Sequence, residues 1–302
     1  MRKQIRSLLC LTASIVMLLS LCSCGKTEKN AKVEDGDKKV VLILVDGMRP
    51  DAMEQCGNSY FEELKKSCAY TLNAKTVYPS ITLPAHLSLF YSIPPQKHGT
   101  LKNEFVPRKI GSLDDEGLFE RLHTAGRKAC MYYSWERLRD VATPESLTAS
   151  EMLRYQDFQA EDEDKLITER AIKGIKEIRP DFTFIYIGST DSTGHDKGWM
   201  SEEYLERINV ALDCIKKIFD NTKDEYSIII TADHGGHGNN HGTDQDVDMT
   251  IPMFIYDKDF KPGEMSGEIS ILDIAPTIAD IIDVKKPKSW EGKSLYTSEY
   301  LK

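Results

Sequence analysis

Basic charge is scarce in this sequence: 39 Lys and Arg stand against 48 Asp and Glu over 302 residues, a formal net charge of −9. A dedicated nucleic-acid binder carries a basic surface, so this balance argues against one and reads as an ordinary solvated acidic surface. CxxC spacing is missing among the seven cysteines, which argues against a zinc–thiolate site. Low-complexity tracts, internal repeats and a second linker are missing too. One domain from 39 to 302 is therefore expected, and 40% hydrophobic residues suffice to bury a sizeable core. The apolar run from Leu8 to Leu21 is short for a membrane span.

That run does fit a secretory signal, because Arg2, Lys3 and Arg6 form a basic segment before it. In 21-LCSCG-25, Leu21 and Ser23 precede Cys24 as in a bacterial lipobox. The expectation is a signal peptide over 1–23, a lipid on Cys24 and a solvated tether over 24–38. The protein would then be exported and held to the cell envelope by the lipid alone. Plain secretion, with Cys24 an incidental thiol, is the other reading. Cys56, Cys68, Cys130 and Cys214 remain in the mature domain. An exported chain permits disulfides, so a Cys56–Cys68 pair and unpaired buried thiols are both open.

Beyond residue 38, apolar runs alternate with helical patterns. Val40 to Val45, Ala129 to Tyr133, Phe182 to Ile187, Tyr226 to Ile230 and Pro252 to Tyr256 read as buried strands. Asp115 to Thr124, closed by Gly126, and Lys165 to Ile178, stopped before Pro180, read as helices. Ser201 caps a third, with Tyr204, Ile208, Leu212, Ile215 and Phe219 at helical spacing. This alternation predicts an α/β fold, a doubly wound, mostly parallel sheet between helical layers. Such sheets place ligands outside the carboxyl ends of their strands. Asp46 ends the first run, Asp191 and His195 follow Ile187, and Asp233 and His234 follow Ile230.

Imidazoles together with carboxylates suit zinc, and less strongly manganese or iron. The stretch 231-TADHGGHGNNHGT-243 concentrates three histidines, one aspartate and four glycines directly after a strand. In 76-TVYPSITLPAHLSLFYSIPPQKHGTLKN-103, Pro79 and Pro84 bracket Thr82, and Ala85 to Phe90 reads as helix. Thr82 then sits at or near a helix N-terminus, where free N–H groups favour an anion. Two readings are open for it: an N-cap, or a nucleophile activated by a nearby metal.

The chain resembles the alkaline phosphatase superfamily, and within it the type I phosphodiesterase/nucleotide pyrophosphatase family. The pieces that carry the resemblance are 42-LILVDGMRPD-51, 78-YPSITLPAH-86, 98-HGTLKN-103, 191-DSTGH-195, 231-TADHG-235, 241-HGT-243, 272-LDIAPTI-278 and 292-GKSL-295. They keep the family's order. The resemblance implies two zinc ions, one on Asp191, His195 and His241, the other on Asp46, Asp233 and His234 with Thr82. It implies that Thr82 attacks phosphorus to give a phospho-threonine that water cleaves, with the Asn103 amide stabilising a phosphoryl oxygen. The partner implied is a small phosphate ester of nucleotide type, with phosphomonoesters or phosphonates as the alternative. An inactive metal-binding surface lipoprotein is the reading from another class.

Several departures bear on substrate. Leu83 stands where nucleotide-cleaving members have an aromatic, while Tyr186 matches another base-contacting position. The family's Glu-Pro before the metal aspartate is 188-GST-190 here. His241 follows His234 without the long cap insertion of larger diesterases, so a more open site is expected. No CxPSR-like motif is present, which sets aside sulfatases. A threonine at 82 weighs against the mutase branch, whose nucleophile is serine. Arg137, Arg139 or Lys165 could meet the extra charge of a monoester. His86, His98 and His123 are expected to be structural, and His237 to lack a ligand role.

The lipid anchor has a direct test. Cells fed radiolabelled fatty acid should incorporate label into the wild-type chain and none into Cys24→Ser; label persisting in the variant rules out that anchor site.

Overall fold

Val40–Val45 is a run of six aliphatic residues, and all six are buried. A strand of that composition needs cover on both faces and partners on both edges. The computed structural model, which describes residues 38–104, 116–153 and 160–302, supplies both. This strand is β1; the others are β2 (Ala69–Lys75), β3 (Ala129–Tyr133), β4 (Ala149–Met152), β5 (Phe182–Ile187), β6 (Ser227–Thr231), β7 (Thr250–Tyr256) and β8 (Gly263–Glu264). They form one sheet in the order β4-β3-β5-β1-β6-β7-β2-β8. Every pairing is parallel except those of β7 with β6 and β2, so β7 alone runs against the rest.

Two groups of helices flank β1. The first contains α1 (Pro50–Gln55), α2 (Tyr60–Ser67), α6 (Ala160–Ile178), α7 (Ser189–Lys197) and α8 (Glu202–Thr222). The second contains α3 (Thr82–Tyr91), α4 (Pro95–His98), α5 (Leu118–Thr124) and α10 (Ile274–Ile282); the short α9 is Asp246–Met249. Members of both groups touch β1, whose residues are all 0% exposed. This is the doubly wound α/β architecture expected. Ser201 caps α8 through its hydroxyl, which accepts from the Tyr204 N–H at 3.2 Å. Among the described residues no helix is long and apolar enough to cross a membrane.

The apolar runs forecast their strands to within two residues. β2, β4 and β8 went unread because their sequences are polar or short; β2 alternates buried and partly exposed positions instead of forming a run. All four described cysteines are free thiols, so the Cys56–Cys68 pairing is not formed. Cys24 and Asp115 lie outside the described residues.

Helix α7 begins after Gly188, which has no side chain to cap it. The cap comes from another helix: Asp164 of α6, 1% exposed, accepts from the Ser189 N–H at 3.4 Å and from the Ser189 hydroxyl. Burial pushes the Asp164 carboxyl from its ordinary 3.8 up to about 7, although the Ser189 donors pull the other way. A folded state that holds this proton more tightly than the unfolded chain is most favoured below about pH 4. It loses that advantage as pH rises toward 7. Asp164→Asn, neutral throughout, should therefore gain stability relative to wild type across that window. Urea midpoints at pH 4.5, 5.5 and 7 check it; a constant difference between the two proteins refutes it.

Candidate active site

Because β5, β1 and β6 are adjacent and parallel, their carboxyl ends bring three acids together. Asp46 follows β1, Asp191 lies in the first turn of α7 after β5, and Asp233 follows β6. Gly47 makes the approach possible. Its φ of +66° turns the chain sharply after Asp46, and a Cβ there would stand 3.3 Å from the Asp191 Cα. The turn is pinned from below, where the Tyr204 hydroxyl (2.7 Å) and the Trp199 indole N–H (3.0 Å) both donate to the Gly47 carbonyl.

The histidines arrive from two elements, His195 from α7 and His234 and His241 from the loop after β6. Each is oriented in the same way. His195 Nδ1 meets the Asn239 carbonyl at 2.9 Å, His234 Nδ1 meets that of Gly235 at 2.8 Å, and His241 Nδ1 meets that of Ser80 at 2.8 Å. A carbonyl only accepts, so each Nδ1 carries the hydrogen and each neutral ring offers its Nε2 lone pair inward. His234 and His241 stack with ring centres 3.7 Å apart and planes 10° apart. Trp199 supports both ligand-bearing elements. A Cβ on Gly236 would lie 2.2 Å from its indole, so only glycine lets the loop pass.

The inward-facing atoms form two groups. Ligand atoms of Asp191, His195 and His241 lie within 4.8 Å of one another, and so do those of Asp46, Asp191 and His234. Asp191 therefore reaches both. Asp233 Oδ2 stands 3.4 Å from His234 Nε2, while its Oδ1 is occupied by the N–H groups of Gly47 (3.1 Å) and His234 (3.0 Å). Asp46 Oδ1 is 3.2 Å from the same His234 nitrogen. No hydrogen bond reaches Asp46 Oδ1, Asp191 Oδ1 or Asp233 Oδ2, although all three are buried. Buried carboxylate oxygens without donors, facing imidazole lone pairs, are a donor set that fits a divalent cation.

The electrostatics point the same way. Burial, joined by the Asp46 charge, pushes Asp191 up to about 8 and Asp233 well above the carboxylate range. Burial disfavours a charged His234, yet Asp233 and Asp46 outweigh it and raise that imidazole to about 10. Asp46 is held down to about 2: burial opposes its ionisation, but His234 and the Tyr186 hydroxyl overcome that. Burial and the neighbouring His234 lower His241 to about 3, which keeps it a neutral ligand. Without a metal, a proton on His234 is what offsets the clustered acids. A cation would replace it.

Thr82 is the first residue of α3, and its hydroxyl lies 3.2 Å from His234 Nε2. It is not the N-cap: Ile81 occupies that position, and no side chain caps the helix. Asn103 Oδ1 accepts from the Leu83 N–H at 2.9 Å, which leaves the amide's NH2 end available on the same side chain. The Arg137 Nε donates to the Asn103 carbonyl at 2.6 Å.

Of the two expected substrate contacts, Leu83 is 0% exposed and Tyr186 4%, as buried as Thr82 at 3%. Tyr186 donates its hydroxyl to Asp46 Oδ2. Of the remaining cations, Arg139 pairs with Glu136 on the surface, and Lys165 is exposed on α6. His98 bonds Ser88 at 3.0 Å and His123 is exposed. His86 is closer to the chemistry than expected: buried, bonded to the Thr82 carbonyl at 2.8 Å, and 3.7 Å from Asp233. Ser80, Trp199 and Asp164 escaped notice because no local pattern marks them; their partners are distant in the chain.

Known proteins place this arrangement. "Ectonucleotide pyrophosphatase/phosphodiesterase family member 1" of Rattus norvegicus is 24% identical over 213 residues, 65% of this chain and 24% of that protein. The chain thus spans about a quarter of that relative's length. Among solved structures, murine ectonucleotide pyrophosphatase/phosphodiesterase 5 in complex with AMP superposes with a TM-score of 0.71 at 14% identity, over 88% of this chain and 100% of that one. The alkaline phosphatase PafA gives 0.73 at 12% identity, over 88% and 99%. These likenesses establish an alkaline phosphatase-like fold. Residues 40–251 match the model of the type I phosphodiesterase / nucleotide pyrophosphatase family, and the chain belongs to that family.

Proposed function

We propose that this protein is a metal-dependent hydrolase of phosphodiester or pyrophosphate bonds in small, nucleotide-type substrates, acting through Thr82. The observation that carries the proposal is a pair of ligand groups that share Asp191, with three buried carboxylate oxygens that lack donors and the Thr82 hydroxyl, at the start of a helix, 3.2 Å from His234 Nε2. Asp191, His195 and His241 would hold one divalent cation, and Asp46, Asp233 and His234, with Thr82, the other. Bound there, two ions of zinc or a similar divalent metal would ease deprotonation of the Thr82 hydroxyl and offset charge on the phosphoryl oxygens.

The chain's own groups do the rest. Thr82 Oγ1 forms a bond to phosphorus as the bond to the leaving oxygen breaks, giving a phospho-threonine. Water then cleaves it and restores the hydroxyl. The Asn103 NH2 donates to a non-bridging oxygen whose charge grows in the transition state. Its orientation is set by the Leu83 N–H, which occupies the oxygen end of the amide. We place the whole activity in a single domain over 39–302. The segment before it, outside the described residues, we read as an export signal with a lipid on Cys24.

A second reading, a phosphomonoesterase or phosphonate hydrolase on the same site, is favoured by one contact. Arg137 bonds the Asn103 backbone, which brings a permanent cation beside the phosphoryl-binding amide. A dianionic monoester gains more from such a cation than a diester does. The inactive surface-lipoprotein reading is disfavoured by the survival of every expected ligand together with Thr82.

Purified protein assayed on bis-p-nitrophenyl phosphate, p-nitrophenyl phosphate and a nucleotide p-nitrophenyl ester separates these readings. Diester turnover should vanish with chelator and return with zinc. Thr82→Ala should lower kcat by roughly three orders of magnitude or more. A monoester kcat/KM above the diester value by more than about tenfold, roughly 1.4 kcal/mol, transfers the protein to the second reading. No turnover of any substrate with zinc loaded supports the inactive reading.

A further inference from the structure

The loop from Asp233 to Thr243 carries three of the candidate ligands, yet little of it is regular structure. His237 and Asn240 exchange backbone hydrogen bonds at 2.8 and 2.9 Å, and four of its residues are glycine. A segment this glycine-rich loses much conformational freedom when it is fixed, so something must hold it in place. Asp248, in α9 and 0% exposed, grips it at three points. Its carbonyl accepts from the Gly235 N–H at 2.8 Å. Its Oδ1 accepts from His237 Nδ1 at 2.7 Å, and its Oδ2 from the Thr243 N–H at 3.0 Å and hydroxyl at 2.7 Å.

Those points lie on both sides of His241, and the far one continues to it. The Thr243 carbonyl accepts from the Ser80 hydroxyl at 2.7 Å, and the Ser80 carbonyl accepts from His241 Nδ1 at 2.8 Å. A chain of hydrogen bonds thus runs from His237 through Asp248, Thr243 and Ser80, which stands two residues before Thr82, to the candidate ligand His241. His237 itself belongs to neither ligand group; its Nε2 faces Gln245 at 3.2 Å. Removing it would leave a buried carboxylate oxygen without its donor, which is costly and would loosen the remaining grip.

We propose that His237 and Asp248 are a positioning pair that sets the divalent-cation affinity of the Asp191–His195–His241 group by fixing where His241 stands. The proposal rests on the two-cation reading above, and the test keeps the two apart. Protein stripped of metal is titrated with zinc against a chromogenic chelator. Wild type should bind two equivalents; fewer than two overturns the two-cation reading and this proposal with it.

With two equivalents bound by wild type, His237→Ala should weaken one of them by about 10–100-fold and leave the other unchanged. His237→Asn, whose side-chain NH2 stands near the position of the imidazole Nδ1, should restore most of that affinity. In a His195→Ala background, which already disables the group, His237→Ala should change nothing further. Wild-type binding by His237→Ala overturns the pair, as does equal weakening in the Ala and Asn variants. If His237→Ala fails to fold by circular dichroism, Thr243→Val takes its place, removing the hydroxyl contact to Asp248 from the opposite side. Two full-affinity equivalents in that variant likewise overturn the proposal.

Discussion

Three carboxylates are brought into one buried space because the strands that deliver them are neighbours in a parallel sheet. Asp46, Asp191 and Asp233 follow β1, β5 and β6, and none can withdraw without breaking the pairing that forms the core. Repulsion between buried like charges is weakly screened by water or salt. The chain meets it unevenly: Asp46 stays ionised on the strength of His234 and Tyr186, while Asp191 is driven up to about 8. Positive charge at the centre eases the same repulsion: against the effect of burial, Asp233 and Asp46 raise His234 to about 10 and favour its proton, and a divalent cation would serve the same end.

Much of the surrounding structure holds groups in place around that centre. Three backbone carbonyls set the histidine tautomers, and they belong to Ser80, Gly235 and Asn239, none of which would attract notice as a site residue. Asp164 caps the helix that carries Asp191 and His195, and the Thr190 hydroxyl ties the same helix to the Asp46 carbonyl. Ser189 and Thr190 thus provide the hydroxyls that stitch α7 to its neighbours. Asp248 performs the same service for the loop that carries His241.

The range of each interaction decides whether sequence reveals it. Val40–Val45, Phe182–Ile187 and Ser227–Thr231 announce themselves because burial on both faces demands an unbroken apolar run. Asp46, Asp191, His195, Asp233 and His234 were legible because they sit at the ends of such runs, and Thr82 because prolines flank a helix start. β2 was not, since alternation broken by Asn73 and Lys75 gives no run to see. The bond from Tyr186 to the site was hidden for a similar reason. Its partner Asp46 is 140 residues away, and only the β1–β5 pairing brings the two together. The N-cap reading of Thr82 failed because the break into helix comes one residue earlier, at Ile81.

On the hydrolase reading proposed above, selectivity between ester classes would draw on the groups beside the start of α3, where Asn103 and Arg137 are joined by a hydrogen bond. An amide reads geometry and tolerates either ester class, whereas a guanidinium rewards each added negative charge. On that same reading the balance between the two would set the preference between ester classes, according to how far the Arg137 charge reaches past the Asn103 backbone toward a phosphoryl group on Thr82.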